Sequence, residues 1–139
     1  MSTLHLKRKF EELKKKFIEN KTDEIITECK AILKENRIDV FYNLLCLAYN
    51  KKSETYKSIA VMKEALKHNS KNVDFYNNIG LCYTNIYKYK EAEDFYKKGL
   101  EIDKNNLEIL NNLGNLKKSL YKSDEAVEIF KKILSIQSN

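Results

Sequence analysis

Set against itself at an offset of 34 residues, the chain falls into register with its own copy. Tyr42, Tyr76 and Leu110 align, as do Leu45, Ile79 and Leu113, then Met62, Tyr96 and Phe130, and finally Leu66, Leu100 and Leu134. A short unit repeated at constant spacing cannot bury its apolar face alone and must stack on its neighbours, so the period restricts the fold to an array of equivalent modules. Within one module the apolar residues recur at helical spacing. Tyr76, Ile79, Gly80 and Tyr83 make one stripe, and Ala92, Phe95, Tyr96 and Gly99 make a second. Each module is therefore predicted to be two short amphipathic helices. The connectors Ser53 to Thr55, Tyr87 to Lys88 and Tyr121 to Ser123 are tight enough to force an antiparallel hairpin.

The pattern predicts helices over residues 4–20, 23–35, 39–52, 56–69, 73–86, 89–103, 107–120 and 123–136, with N-caps at Thr22, Asn72 and Asn105 or Asn106. Composition agrees. Proline is absent and glycine occurs only at positions 80, 99 and 114, which leaves too few turn residues for an all-β fold. Apolar residues make up 42% of 139, enough for one compact domain. No apolar run reaches the roughly 18 to 20 residues of a membrane span, and the basic N-terminus leads into no signal-peptide core, so a cytoplasmic protein is expected. Cys29, Cys46 and Cys82 are odd in number and far apart, which fits reduced thiols better than a disulfide framework or a zinc site.

The segment Val73 to Asn106 resembles the tetratricopeptide repeat family through Tyr76, Ile79-Gly80, Tyr83, Ala92, Tyr96 and Gly99. Leu107 to Asn139 repeats the pattern with Leu110, Leu113-Gly114, Ala126, Phe130 and Ile133, although Lys117 stands where the family has tyrosine. Asp39 to Asn72 is a looser copy with Tyr42, Leu45-Cys46, Tyr49, Ser58, Met62 and Ala65. Residues 5–38 form a degenerate first unit, spaced by 33 from the next. Ser70 and Lys104 replace the proline that usually closes a unit. The resemblance implies an all-α, right-handed α-solenoid of about four hairpins (5–38, 39–72, 73–106, 107–139) forming a single domain over 1–139. It also implies a concave groove lined by the first helix of each unit.

The groove positions that the resemblance implies include Asn43, Leu47, Asn77, Asn78, Leu81, Asn85, Asn111, Asn112 and Asn115. Each asparagine offers one acceptor and two donors, the complement of a peptide bond, so a row of them can pair with an extended backbone whatever its sequence. This arrangement is similar to the asparagine ladder of O-linked N-acetylglucosamine transferase repeats, here in Asn111 to Asn115. Leu44, Leu47 and Leu81 could form an apolar patch beside it. The repeats that clamp chaperone C-terminal carboxylates need lysines and an arginine that the corresponding positions lack, and Asp74 and Glu108 would repel such a ligand.

Residues that could carry chemistry are scarce. His5 and His68 sit in no metal-binding spacing, and no phosphate-cradling glycine loop or nucleophile elbow occurs. Cys46 occupies a small-residue packing slot. The expectation is a non-enzymatic adaptor with no cofactor and no small-molecule substrate, whose partner is another protein or peptide. Self-assembly end to end is the alternative, since the last unit carries Ile129, Phe130, Ile133, Leu134 and Ile136. Nucleic acid is a third and disfavoured partner, suggested by a net +4 within residues 1–21 of a total of +6.

Overall fold

The computed structural model describes all 139 residues and is helical throughout, with eight helices and no strand. They are α1 (Thr3–Ile18), α2 (Thr22–Glu35), α3 (Asp39–Lys51), α4 (Thr55–His68), α5 (Val73–Asn85), α6 (Tyr89–Ile102), α7 (Leu107–Ser119) and α8 (Ser123–Gln137). Each predicted helix is present, with its ends within two residues of the expected ones. Two compact units divide them, Met1–Ser70 with α1 to α4 and Lys71–Asn139 with α5 to α8.

In the first unit α3 packs on α1, α2 and α4. Its core joins Leu13 of α1, Ile25, Cys29 and Ile32 of α2, and Phe41, Leu44, Leu45, Ala48 and Tyr49 of α3. Phe10 stands edge-on to Phe41 with ring centroids 5.9 Å apart. In the second unit α7 takes the central place against α5, α6 and α8. Ala92 and Tyr96 of α6 meet Ile109, Leu113 and Leu116 of α7 in its core. Gly80 is there because α5 and α6 touch: a Cβ at that position would lie 2.3 Å from Cε1 of Tyr96.

All four hairpins turn in the same way. Asn20, Ser53, Tyr87 and Tyr121 have φ between 57° and 62°, the left-handed conformation that favours glycine, and follow one another at the repeat spacing. The next amide in each case reaches back five residues, as in Lys88 N–H to Tyr83 O at 2.9 Å and Lys122 N–H to Lys117 O at 2.9 Å. This is the Schellman closure, which satisfies carbonyls that a helix end otherwise leaves open. Asn72 and Asn106 cap their helices as expected, accepting from Asp74 N–H and Ile109 N–H at 3.0 Å each. Thr22 does not: it lies inside α2, and Lys21 precedes that helix without a side-chain cap. Asp23 and Glu24 in its first turn offset the exposed amides electrostatically instead.

Candidate functional site

The first helix of each hairpin carries the predicted groove residues, and the two units present different surfaces. In the first unit Phe10, Lys14, Val40, Asn43, Leu44 and Leu47 line an open hollow of about 260 Å³. Leu44 is buried and forms its floor, whereas Leu47 is 50% exposed at the rim. The Lys14 ammonium sits 5.2 Å from the Phe10 ring centroid, a cation held over an aromatic face.

The second unit presents amides. Asn112 on α7 donates its side-chain N–H to Oδ1 of Asn77 on α5 at 2.8 Å, and Asn77 in turn donates to Glu108 at 3.4 Å. Asn77 is only 6% exposed. Its amide ties α5 to α7 and is enclosed, a correction to its expected place as an open groove residue. The reason is packing: α5 and α7 approach each other directly, and one asparagine of the Asn77-Asn78 pair falls into the seam. Asn78 and Asn112 are half-buried, and Leu81 is at the surface. Asn85, Asn111 and Asn115 are exposed and make no side-chain hydrogen bond within the chain. Asn111 and Asn115 are four residues apart on α7, so they share a helix face about 6 Å apart along the axis.

Lys117, the departure from the family pattern, is a site that sequence reasoning noticed and did not interpret. It is 5% exposed, and its ammonium reaches Glu93 of α6 at 2.7 Å and Glu125 of α8 at 2.5 Å. Burial pulls this lysine down, and the hydrogen bonds it donates to Glu125 and Glu93 outweigh that, leaving it above the ordinary lysine range. Burial pushes Glu93 up, yet the bonds from Lys117 and Lys97 hold it below the usual glutamate range. One cation thus links three helices.

Part of the basic charge of α1 is neutralised within the unit, while Lys7, Arg8 and Lys15 are exposed and make no ion pair. Lys9 and Lys16 both pair with Glu28 of α2, Lys16 also reaches Glu24 at 3.1 Å, and Lys14 and Lys21 pair with Glu11 and Glu19. Burial raises Glu28, and the bonds from Lys16 and Lys9 overcome that and keep it low. Cys29, Cys46 and Cys82 are buried and free, and burial pushes the Cys29 thiol up to about 12, the reverse of an activated nucleophile. No helix is long and apolar enough to cross a membrane.

Central helices flanked by hairpin partners, with turns repeated at one spacing, define an α-helical repeat protein. Residues 73–106 match the tetratricopeptide repeat family, and residues 95–128 match a second description of that family. Residues 73–128 are thus similar to tetratricopeptide repeats. No curated protein matches its sequence. Solved structures match its fold: a crystal structure of MamA has a TM-score of 0.80 at 22% identity, over 91% of this chain and 74% of that one. The TPR protein YrrB, described as having an unusual peptide-binding site, gives 0.73 at 20% identity over 89% of this chain and 64% of that one. The second TPR of Spaghetti (RPAP3), bound to the HSP90 peptide SRMEEVD, gives 0.61 at 21% identity over 66% of this chain and 84% of that one.

Proposed function

We propose that the chain is a non-catalytic protein-interaction module of the cytoplasm, an adaptor or scaffold that receives an extended peptide segment along its first-helix faces. The observation that carries this reading is the set of amides on the second unit. Asn85, Asn111 and Asn115 are exposed with no hydrogen-bond partner in the chain, beside an Asn112 whose amide is oriented by Asn77. The Asn112 amide, already held by Asn77, loses little entropy when it pairs with a peptide backbone, whereas the three exposed amides are ordered only as they pair. Each such bond contributes about 0.5–1.5 kcal/mol net, so three yield a modest affinity that side-chain pockets must supplement. Taken by itself, the first unit offers an apolar pocket for a side chain in the hollow around Leu47. Peptide binding by YrrB and by the Spaghetti repeats, which share the fold, supports the same reading. Three buried cysteines that form no disulfide support a reducing compartment.

Selection of short random peptides on the purified chain tests the proposal. Peptides should be recovered whose affinity falls about tenfold in the Asn111→Ala/Asn115→Ala variant; undiminished affinity would exclude the amide face. Peptide SRMEEVD should not be retained, because the carboxylates of Asp74 and Glu108 on the first helices of the second unit repel an acidic peptide. Self-association is the second reading, favoured by one observation: Leu134 on α8 is 66% exposed, and Val127, seven residues earlier on the same helix, is exposed as well. Light scattering of the wild type and Leu134→Glu separates the two, since only self-association predicts a drop in mass.

A further inference from the structure

A second hollow lies in the first unit and shares no residue with the proposed peptide face. It is open, measures about 460 Å³, and runs between α2 and α4, which each pack on α3 and not on each other. Its floor is apolar, built from Tyr42 and Leu45 of α3 with Leu33, Ala60 and Val61 on the walls. Its rim is cationic. Lys30 and Lys34 of α2 and Arg37 of the following connector line it, and no carboxylate lies within ion-pair distance of any of the three. The one acid at the rim, Glu64, is already engaged by Lys67 at 3.1 Å and by His68 Nε2 at 3.2 Å. Elsewhere in this unit Lys9, Lys14, Lys16 and Lys21 have acidic partners, while Lys7, Arg8 and Lys15 of α1 stand without one and line neither hollow. Three unpaired cations thus ring a hollow with an apolar floor and room for a ligand of side-chain size.

We propose that this hollow is a docking site for a short acidic segment of a partner protein, with one bulky apolar side chain seated on Leu45 between α2 and α4. The carboxylates of that segment pair with Lys30, Lys34 and Arg37. The spacing fits: Lys30 and Lys34 lie about 6 Å apart along the helix axis, close to the roughly 6.6 Å between alternate residues of an extended peptide. A flat anionic membrane fits less well, because the apolar surface is recessed below the charged rim and a planar bilayer would touch only the lysines. The site shares no residue with the amide face of the second unit, so the two proposals stand or fall apart.

The test again uses peptide selection on the full chain, followed by anisotropy of labelled hits. Acidic peptides containing a Leu, Ile or Phe should be recovered that bind Lys30→Glu/Arg37→Glu and Ala60→Glu at least tenfold more weakly than the wild type. The same peptides should bind Lys7→Glu/Arg8→Glu and Asn111→Ala/Asn115→Ala with affinity changed less than threefold. Ala60 is exposed on a helix, so the glutamate obstructs the hollow without disturbing the core, and an unchanged urea midpoint confirms it. Recovery of no acidic peptide, or equal loss in the Lys7/Arg8 control, overturns the proposal. So does binding to phosphatidylserine vesicles that is abolished by Lys30→Glu/Arg37→Glu while peptide binding is absent.

Discussion

Replacing Lys117 by methionine keeps the aliphatic body of the side chain and removes the charge that Glu93 and Glu125 face at 2.7 and 2.5 Å. Breaking a fully enclosed ion pair from one side costs about 3–5 kcal/mol, because the remaining charge is left without a partner. Here Glu93 keeps Lys97 at 2.6 Å and Glu125 is half exposed to water, which brings the expected loss down to about 2 kcal/mol. With a urea slope of about 2 kcal/mol per molar, the unfolding midpoint at neutral pH should fall by about 1 M. Lys117→Met/Glu93→Gln should recover at least half of that loss, since the uncompensated carboxylate is gone. The pH dependence follows from the direction of each shift. Glu93 and Glu125 are held below their ordinary value of 4.5, so their contribution is complete above that value and disappears as pH falls through the lower folded values. Lys117 is held above 10.5, so its contribution is complete below that value and is lost only as pH rises past it. The gap between wild type and Lys117→Met should thus be widest from about pH 5 to about pH 10 and close towards about pH 2. A gap under about 0.5 kcal/mol at pH 7, or one that persists unchanged in acid, would refute the charge account and leave Lys117 as a mere space-filler.

Three further outcomes are expected. Gly80→Ala forces a methyl group against the Tyr96 ring and should lower stability by about 1–3 kcal/mol in the same urea assay. Tyr121→Gly relieves a left-handed φ of 57° at a side chain that is almost wholly exposed, and should raise stability by up to about 1 kcal/mol; a fall would mean that the ring packs on something. Cys29, buried and with its thiol raised to about 12, should react with a disulfide reagent at neutral pH only at the rate of unfolding, and fast modification of the native chain would contradict its burial.

The helices were readable from sequence because their information is local. Apolar spacing and the asparagines at 72 and 106 placed both ends of α5 and the start of α7. Thr22 misled for a local reason too: threonine is a good cap, but the polypeptide reverses at Asn20 and enters α2 one residue earlier. The left-handed turns were not visible, since a tyrosine at φ near 60° is imposed by hairpin closure and no propensity announces it. Site residues depended on what neighbouring helices do. Asn77 and Asn78 look equivalent in sequence, and only the approach of α7 to α5 decides which of them is enclosed. Lys117 appeared as a lost tyrosine because its partners come from α6 and α8, 24 and 8 positions away in the chain. The hollow between α2 and α4 joins residues from Lys30 to His68, and no spacing rule collects them.

Inside either unit a helix packs only on the next helix or the one after it. Such wiring keeps sequence separations short, so the search for native pairings is quick and a hairpin can form before its successor has left the ribosome. It also confines injury. A lesion in one hairpin weakens its immediate neighbours while distant turns keep their own geometry, and an inserted or deleted copy alters length without redrawing the plan.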